Sequence, residues 1–78
     1  MNTKQLEYFL ELSQTLNYRQ ASERLGVTQP TLTKAMQHLE RELGFALFSK
    51  QGRSIRLTGQ AQAFIPYARE CLDCLEQG

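Results

Sequence analysis

Residues 27–44 predict one amphipathic helix whose two ends are both marked in the sequence. Thr28 can cap the N-terminus with its hydroxyl, Pro30 suits the first turn because it has no N–H to leave unpaired, and Gly44 can end the helix in a left-handed conformation. Apolar residues recur at three- and four-residue spacing on one face: Leu32, Ala35, Met36, Leu39 and Leu43. The opposite face carries hydrogen-bonding groups and little acid: Pro30, Thr33, Lys34, Gln37 and Arg41. The fold must therefore bury one face of this helix, and the other face is free to bind.

The preceding segment predicts a shorter helix and a tight turn. Asn17 is a good N-cap with Gln20 as its capping-box partner, and Gly26 follows the helix. A short helix, a glycine-containing turn and a longer helix form the helix-turn-helix pattern. In that motif the second helix enters the major groove of DNA with its N-terminal residues nearest the bases. The alternative is that residues 28–43 form an ordinary surface helix of a small bundle.

The segments on either side complete a small core. Residues 3–16 predict a first helix, capped by Thr3, whose apolar face reaches Leu16. Residues 45–50 and 55–57 are β-compatible segments on either side of a turn, and they predict a two-stranded wing with Arg53 near its tip. Leu47, Ile55 and Leu57 are expected to face the core. Thr58 is expected to cap a last helix that runs to about Leu75.

Several linked motifs closely resemble the N-terminal DNA-binding domain of LysR-type transcriptional regulators. The motifs are Tyr18-Arg19-Gln20-Ala21-Ser22-Glu23-Arg24-Leu25, Thr28-Gln29-Pro30-Thr31-Leu32-Thr33, Leu39-Glu40-Arg41-Glu42-Leu43-Gly44, Leu47-Phe48, and Gly52-Arg53 followed by Leu57-Thr58. The resemblance implies a mainly α fold: a winged helix-turn-helix at 1–58 and a linker and dimerisation helix at 59–78. It also implies that the chain is a fragment, because the small-molecule effector would need a larger C-terminal domain. The resemblance leaves a dimer and a tetramer open for the full-length protein.

The net charge of +1 is low for a protein that binds nucleic acid, but the charge is unevenly distributed. Residues 18–39 carry +2 and residues 51–58 carry another +2, whereas 1–17 and 59–78 are net acidic. The positive charge thus lies on the helix-turn-helix and the wing, which predicts a local DNA-binding face.

The leading hypothesis is sequence-specific binding of duplex DNA by a bacterial regulator. We expect the phosphates to be contacted by Arg19, Arg24 and Arg53, together with the first-turn amides and hydroxyls of the helix at 28–43, among them that of Thr28. The predicted base contacts are Gln29, Pro30, Thr31, Thr33 and Lys34. Gln suits adenine, Lys suits guanine acceptors, and the Pro and Thr carbon atoms suit the thymine methyl group. Arg53 could also enter a narrow A·T-rich minor groove.

The last helix carries an apolar stripe that the small core alone would not cover. Its predicted dimerisation residues are Phe64, Ile65, Ala68, Leu72 and Leu75. Pro66 lies inside the stripe and predicts a bend. In LysR-type regulators the linker helix pairs with its symmetry mate, so the resemblance implies a homodimer on an inverted repeat.

Cys71 and Cys74 could indicate a metal or thiol-redox protein. The only histidine, His38, lies in the predicted helix at 28–43, so a four-ligand zinc site is not indicated. The favoured role of the two thiols is packing. No residue pattern indicates an enzyme, a cofactor or a membrane span, and a cytoplasmic protein is expected. A winged-helix protein–protein interaction module without DNA affinity stays open as the alternative function.

Overall fold

Four helices and a two-stranded sheet form the fold, here described from a computed structural model. The structure describes the backbone of residues 1–77 and the side chains of residues 1–74. The elements are α1 Thr3–Thr15, α2 Tyr18–Leu25, α3 Gln29–Leu43, β1 Phe48–Gln51, β2 Ser54–Leu57 and α4 Gly59–Gln77. The predicted winged helix-turn-helix followed by a long helix is therefore confirmed.

The first helix begins at Thr3 as predicted, but its caps differ from the prediction. Asn2, not Thr3, is the N-cap: its side chain accepts a hydrogen bond from the Gln5 amide at 2.8 Å, and the Gln5 side chain accepts one from the Asn2 amide at 3.1 Å. Asn2 is preferred over Thr3 as the N-cap because Gln5, three residues after it, completes both hydrogen bonds of a capping box. Leu16 is not a core residue, because it caps the C-terminus in a left-handed conformation (φ 52°) and is 37% exposed.

Asn17 and Thr28 are the N-caps of α2 and α3, as predicted. The Asn17 side chain accepts from the backbone amide of Gln20 at 2.9 Å, and the Thr28 hydroxyl oxygen caps the first turn of α3. The capping box expected with Gln20 is only half formed, because the backbone amide of Asn17 donates instead to the Thr15 hydroxyl oxygen at 3.4 Å. Gly26 ends α2 with φ 71°, and Gly44 ends α3 with φ 82°. These are conformations that a residue with a Cβ adopts only with strain, so the two glycines fix the length of both helices.

One core joins all the helices and the start of the wing. Its fully buried members come from α1, α2, α3, α4 and the loop before β1: Leu6, Phe9, Leu12, Ala21, Leu32, Met36, Leu39, Leu47, Ala61 and Ala68. The Phe9 ring lies 5.9 Å from the ring of Phe48 and 5.5 Å from that of Phe64, measured between centroids. Tilted aromatic pairs at this spacing contribute about 0.5–1.5 kcal/mol each beyond the area they bury. This aromatic cluster therefore ties α1 to both the wing and α4.

The wing is a tight antiparallel hairpin. Its two-residue turn is Gly52–Arg53, and Gly52 has the positive φ (59°) that such turns favour at their first central position. The first strand begins at Phe48, three residues later than the β-compatible run suggested, since Phe45 packs instead against Phe64 at 6.3 Å between ring centroids. Leu47 is buried, as predicted, and its amide donates to Glu40 Oε2 at 2.7 Å, which fastens the wing to α3.

The start of the last helix is held by two hydrogen bonds of the Thr58 hydroxyl. The Thr58 hydroxyl accepts from the Ala61 amide at 3.1 Å and donates to the Ala46 carbonyl at 2.6 Å, so the predicted cap also anchors α4 to the loop before the wing. Pro66 lies within the helix, and the bend expected there stays a prediction.

Candidate nucleic-acid interface

The buried side of α3 determines which of its side chains reach solvent. Leu32, Met36 and Leu39 are at most 2% exposed and lock the helix against the core. At about 100° per residue, this places the first-turn polar groups on the outside. Four of the predicted base-contacting residues are exposed and one is half-buried: Gln29, Pro30, Thr31 and Lys34, and then Thr33. The structure therefore brings four of the predicted set together around a shallow recess: Gln29, Pro30, Thr33 and Lys34. Thr31 is exposed but does not line this recess.

Hydrogen bonds divide the hydroxyl groups at the start of α3 into two roles. The Thr28 oxygen accepts from the Thr31 amide at 3.2 Å, and the Thr28 hydroxyl donates to the Thr31 oxygen at 2.8 Å. Thr28 is thus occupied as a cap. The hydroxyl hydrogen of Thr31 remains available as a donor to a ligand on the exposed face.

The two predicted arginines of α2 have different surroundings. Arg19 lies exposed in the first turn. Arg24 lies at the other end of the helix, where its Nε is 3.7 Å from Glu11 Oε1 of α1. The Arg24 side chain is 68% exposed, whereas that of Glu11 is only 22% exposed. A phosphate that binds the guanidinium would therefore compete with a half-buried carboxylate. Arg24 is the predicted contact that already has an acidic partner in the protein.

The tip of the wing lies next to the start of α2. Arg53 is exposed and lines a recess of about 210 Å³ together with Asn17 and Tyr18. This places the arginine beside the segment that leads into Arg19, so the tip of the wing lies near the start of α2. Arg56 pairs with no acid among the described residues; its guanidinium donates to Gln51 Oε1 at 3.1 Å.

The sequence pattern did not indicate Lys50, which lies beside α3. A groove of about 420 Å³ separates α3 from β1, and Lys50 lines it opposite Gln29 and Thr33. Lys50 follows Phe48 by two residues and so shares its side of the strand, which was the available signal. Tyr18 also lines this groove, where burial, and to a lesser degree the charge of Glu40, raises the pKa of its hydroxyl above the ordinary value of 10.0.

The predicted dimerisation residues of α4 are covered to different extents. Ala68 is fully buried in the core of its own chain, whereas Phe64, Ile65 and Leu72 are half-buried. The Leu75 side chain lies outside the described residues. Tyr67, which the apolar pattern passed over, is 65% exposed and lines an apolar recess of about 340 Å³. The stripe that appeared uncovered in the sequence is therefore largely covered within one protomer.

The cysteine pair lies apart from this face. Cys71 is half-buried, Cys74 is exposed, and both thiols are free. Within the part of the chain that the structure describes, no group of three or more His, Cys, Asp or Glu side chains is arranged to hold a metal ion. In the same part, no helix has the length and apolar character needed to cross a membrane.

Comparison with known proteins identifies a family and several solved structures that this chain resembles. Residues 3–62 match the family described as bacterial regulatory helix-turn-helix protein, lysR family. The chain is 36% identical over 76 residues to the HTH-type transcriptional regulator IlvR of Caulobacter vibrioides, and 38% identical over 76 residues to CitR of Bacillus subtilis. Each alignment covers 97% of this chain and 26% of the relative. The chain also resembles the CbnR DNA-binding domain in its DNA complex, with a TM-score of 0.90, 38% identity, and coverage of 99% of this chain and 88% of that one.

Two consequences follow from these similarities. The chain spans about a quarter of the length of the curated relatives it matches, and the matched part is the helix-turn-helix segment. The relatives are transcriptional regulators and not enzymes, as the sequence had indicated.

Proposed function

The chain belongs to the lysR family of bacterial regulatory helix-turn-helix proteins, and from this premise we propose that it binds duplex DNA sequence-specifically with α3 in the major groove. The observation that carries the proposal is the first turn of α3. Gln29, Pro30 and Thr31 are exposed there while Leu32, in the same turn, is fully buried. A helix held this firmly by its inner face presents its N-terminal side chains in one orientation, as reading of base edges requires.

Each polar group of this face has a chemical counterpart on DNA. The Gln29 amide matches the donor and acceptor of adenine, and the Lys34 ammonium matches the two acceptors of guanine. The carbon atoms of Pro30 and Thr33 suit the thymine methyl group. Thr31 retains a free hydroxyl hydrogen for a base or a phosphate.

The arginines supply affinity that does not depend on sequence. Arg19 and Arg53 are exposed on adjoining elements and would contact phosphates, with Arg53 at the minor groove or the backbone. Arg24 would join them only by leaving Glu11. Because duplex DNA is the partner, the proposed place of action is the bacterial cytoplasm.

We propose further that two copies bind an inverted repeat through their α4 helices. The half-buried Phe64, Ile65 and Leu72 would form the interface, together with the exposed Tyr67 and with Leu75. Ala68 would act indirectly, by holding α4 against its own core. A tetramer and a small-molecule effector would be properties of a larger regulator in which this segment is the DNA-binding part.

Duplex binding as a function of salt tests the proposal. Counterion release predicts a linear fall of log affinity with log salt, and selection from random duplexes should yield a defined site. Gln29→Ala should lose about 1–3 kcal/mol of discrimination at one base pair while affinity for unrelated DNA barely changes. Gln62→Ala, an exposed glutamine of α4, is the matched control.

Two results would decide against the proposal. Absence of salt-dependent duplex binding would favour the alternative, a winged-helix module that binds protein. An equal loss of specific and non-specific affinity in Gln29→Ala would make Gln29 a positioning residue.

A further inference from the structure

The groove between α3 and β1 has two polar walls. We call it the helix–wing groove. The α3 wall consists of Gln29, Thr33 and Gln37, and the β1 wall consists of Ser49 and Lys50. Its floor is formed by the remaining lining residues: Tyr18, Met36, Glu40, Phe48 and Ile55. A ligand in this groove would meet hydrogen-bond donors on both sides.

Lys50 occupies a position where the strand pattern calls for an apolar residue. In the hairpin register Phe48 pairs with Leu57 and Lys50 pairs with Ile55. Paired side chains and those two residues apart share one face of a sheet, so Lys50 lies on the face that Phe48 and Leu57 turn towards the core. Nevertheless it is exposed, and among the described residues no carboxylate lies within ion-pair distance of its ammonium. This cation is directed into the helix–wing groove without a protein partner.

The geometry of duplex DNA indicates what this groove would hold. If α3 enters a major groove and Arg53 reaches the neighbouring minor groove, one sugar–phosphate strand must pass between the helix and the wing, since one strand separates adjoining grooves. That strand carries closely spaced negative charges, because a duplex has one per ~1.7 Å of its axis. We propose that the helix–wing groove seats this strand and that Lys50 contacts one of its phosphates. The inference rests on the proposed function, and it adds a residue to that function.

Glu40 sets how deep a phosphate can lie. Its carboxylate is in the floor of the groove, held there by the Leu47 amide at 2.7 Å. A phosphate would be repelled from the floor and attracted to the rim, where Lys50 stands. The negative floor and the positive rim therefore favour a single depth for the DNA strand in the groove. A fixed depth would in turn fix the position of α3 relative to the bases.

Salt dependence distinguishes this role from a free surface charge. In Lys50→Ala, specific and non-specific affinity should both fall, by roughly eightfold at 0.1 M salt, and the slope of log affinity against log salt should flatten by about 0.9. Lys50→Arg should retain the slope. Lys50→Gln, which keeps most of the side-chain stem, should behave like the alanine variant and covers the case in which alanine disturbs the fold.

Lys4→Ala is the matched control. Lys4 is also exposed, but it lies in the first turn of α1, and the preceding Met1 ammonium pairs with Glu42 near the C-terminal end of α3. That end is about 20 Å along the helix from Gln29 at 1.5 Å per residue. For Lys4→Ala, the slope of log affinity against log salt should match that of the wild-type protein.

Replacing single phosphates by neutral methylphosphonates locates the contact. One position beside the half-site should weaken wild-type binding but leave Lys50→Ala unaffected. An unchanged salt slope in both Lys50→Ala and Lys50→Gln would overturn the inference, as would a loss confined to one DNA sequence. If the wild-type protein binds duplex DNA with the expected salt dependence in that experiment, the proposed function stands and only the role of Lys50 falls.

Discussion

The helices α3 and α4 carry similar apolar stripes but use them differently. In α3 the large residues at the centre of the stripe, Leu32, Met36 and Leu39, are at most 2% exposed, Ala35 and Leu43 at its edges are half-buried, and the outer face is polar. In α4 the small residues Ala61 and Ala68 are fully buried, whereas the larger Phe64 and Leu72 stay half-buried. Apolar spacing therefore predicts that a face is covered, but it does not say how much of that cover comes from another molecule.

The two helices also differ in how their first turns are held. Thr28 bonds only within its own turn, to Thr31. Thr58 bonds to Ala61 and also to the Ala46 carbonyl, twelve residues earlier. The start of α3 is thus a local structure with an open outer face, and the start of α4 is part of the tertiary fold.

The largest expected difference between the helices is in their contribution to the stability of one protomer. Leu39→Ala should lower the free energy of unfolding by about 2–5 kcal/mol, because it leaves a cavity in a closed core. Leu72→Ala should cost only about 1 kcal/mol, since part of the Leu72 side chain is already in water. Urea unfolding of dilute protein measures both. Equal losses would show that the α4 stripe is as much a part of the core as that of α3.

The next effect concerns assembly, where α4 should exceed α3. Leu72→Glu should shift the domain towards monomer, because each large side chain buried at an interface contributes about 1.5–3 kcal/mol before the cost of association. Affinity for an inverted repeat should then fall far more than affinity for a half-site. Sedimentation of the free and DNA-bound protein measures this, and circular dichroism checks that helical content is retained.

Gln62→Glu adds the same charge at an exposed position of α4 and should leave assembly unchanged. A wild-type domain that stays monomeric at high concentration, both free and on an inverted repeat, would contradict the proposed interface.

The sequence predicted α3 better than its surroundings for a physical reason. The caps, the stripe and the outer face of α3 depend on residues within 17 positions of one another, from Thr28 to Gly44. Local spacing was also enough for Asn17 and Gly26. The N-cap of α1 was missed because Asn2 and Thr3 are both capping residue types, and only the partner Gln5 decides between them.

The missed features depend on contacts between distant segments. Burial of Ala68 is decided by how closely α4 approaches α1, which no pattern within α4 contains. The groove beside Lys50 exists because Glu40 and Leu47 hold the wing against α3. The candidate site was therefore predictable where it lies on one helix and unpredictable where it lies between two elements.

A smaller difference in stability is expected when the N-caps of α3 and α4, Thr28 and Thr58, are removed. Thr28→Ala should cost about 0.5–2 kcal/mol, the ordinary value for loss of a cap. Thr58→Ala should cost more, because it also leaves the Ala46 carbonyl without its donor at 2.6 Å. Thermal unfolding of the two variants measures the order. A Thr28 variant less stable than the Thr58 variant would mean that the second bond of Thr58 contributes nothing.

The smallest effect is a pH dependence at the far end of α3. A hydrogen bond from the Met1 ammonium, together with its charge, lowers the pKa of Glu42 below the ordinary value of 4.5. Because the folded-state pKa is the lower one, the pair contributes stability above about pH 4.5 and loses it as the pH falls through the folded pKa. Glu42→Gln should therefore lower the melting temperature slightly at pH 7 and not at all near pH 2, while Glu23→Gln, an exposed control in α2, should not show this pattern. Since both partners are solvent-accessible, high salt should remove the difference at pH 7 as well. A difference that persists unchanged at low pH would mean that Glu42 stabilises α3 by packing and not through the N-terminal charge.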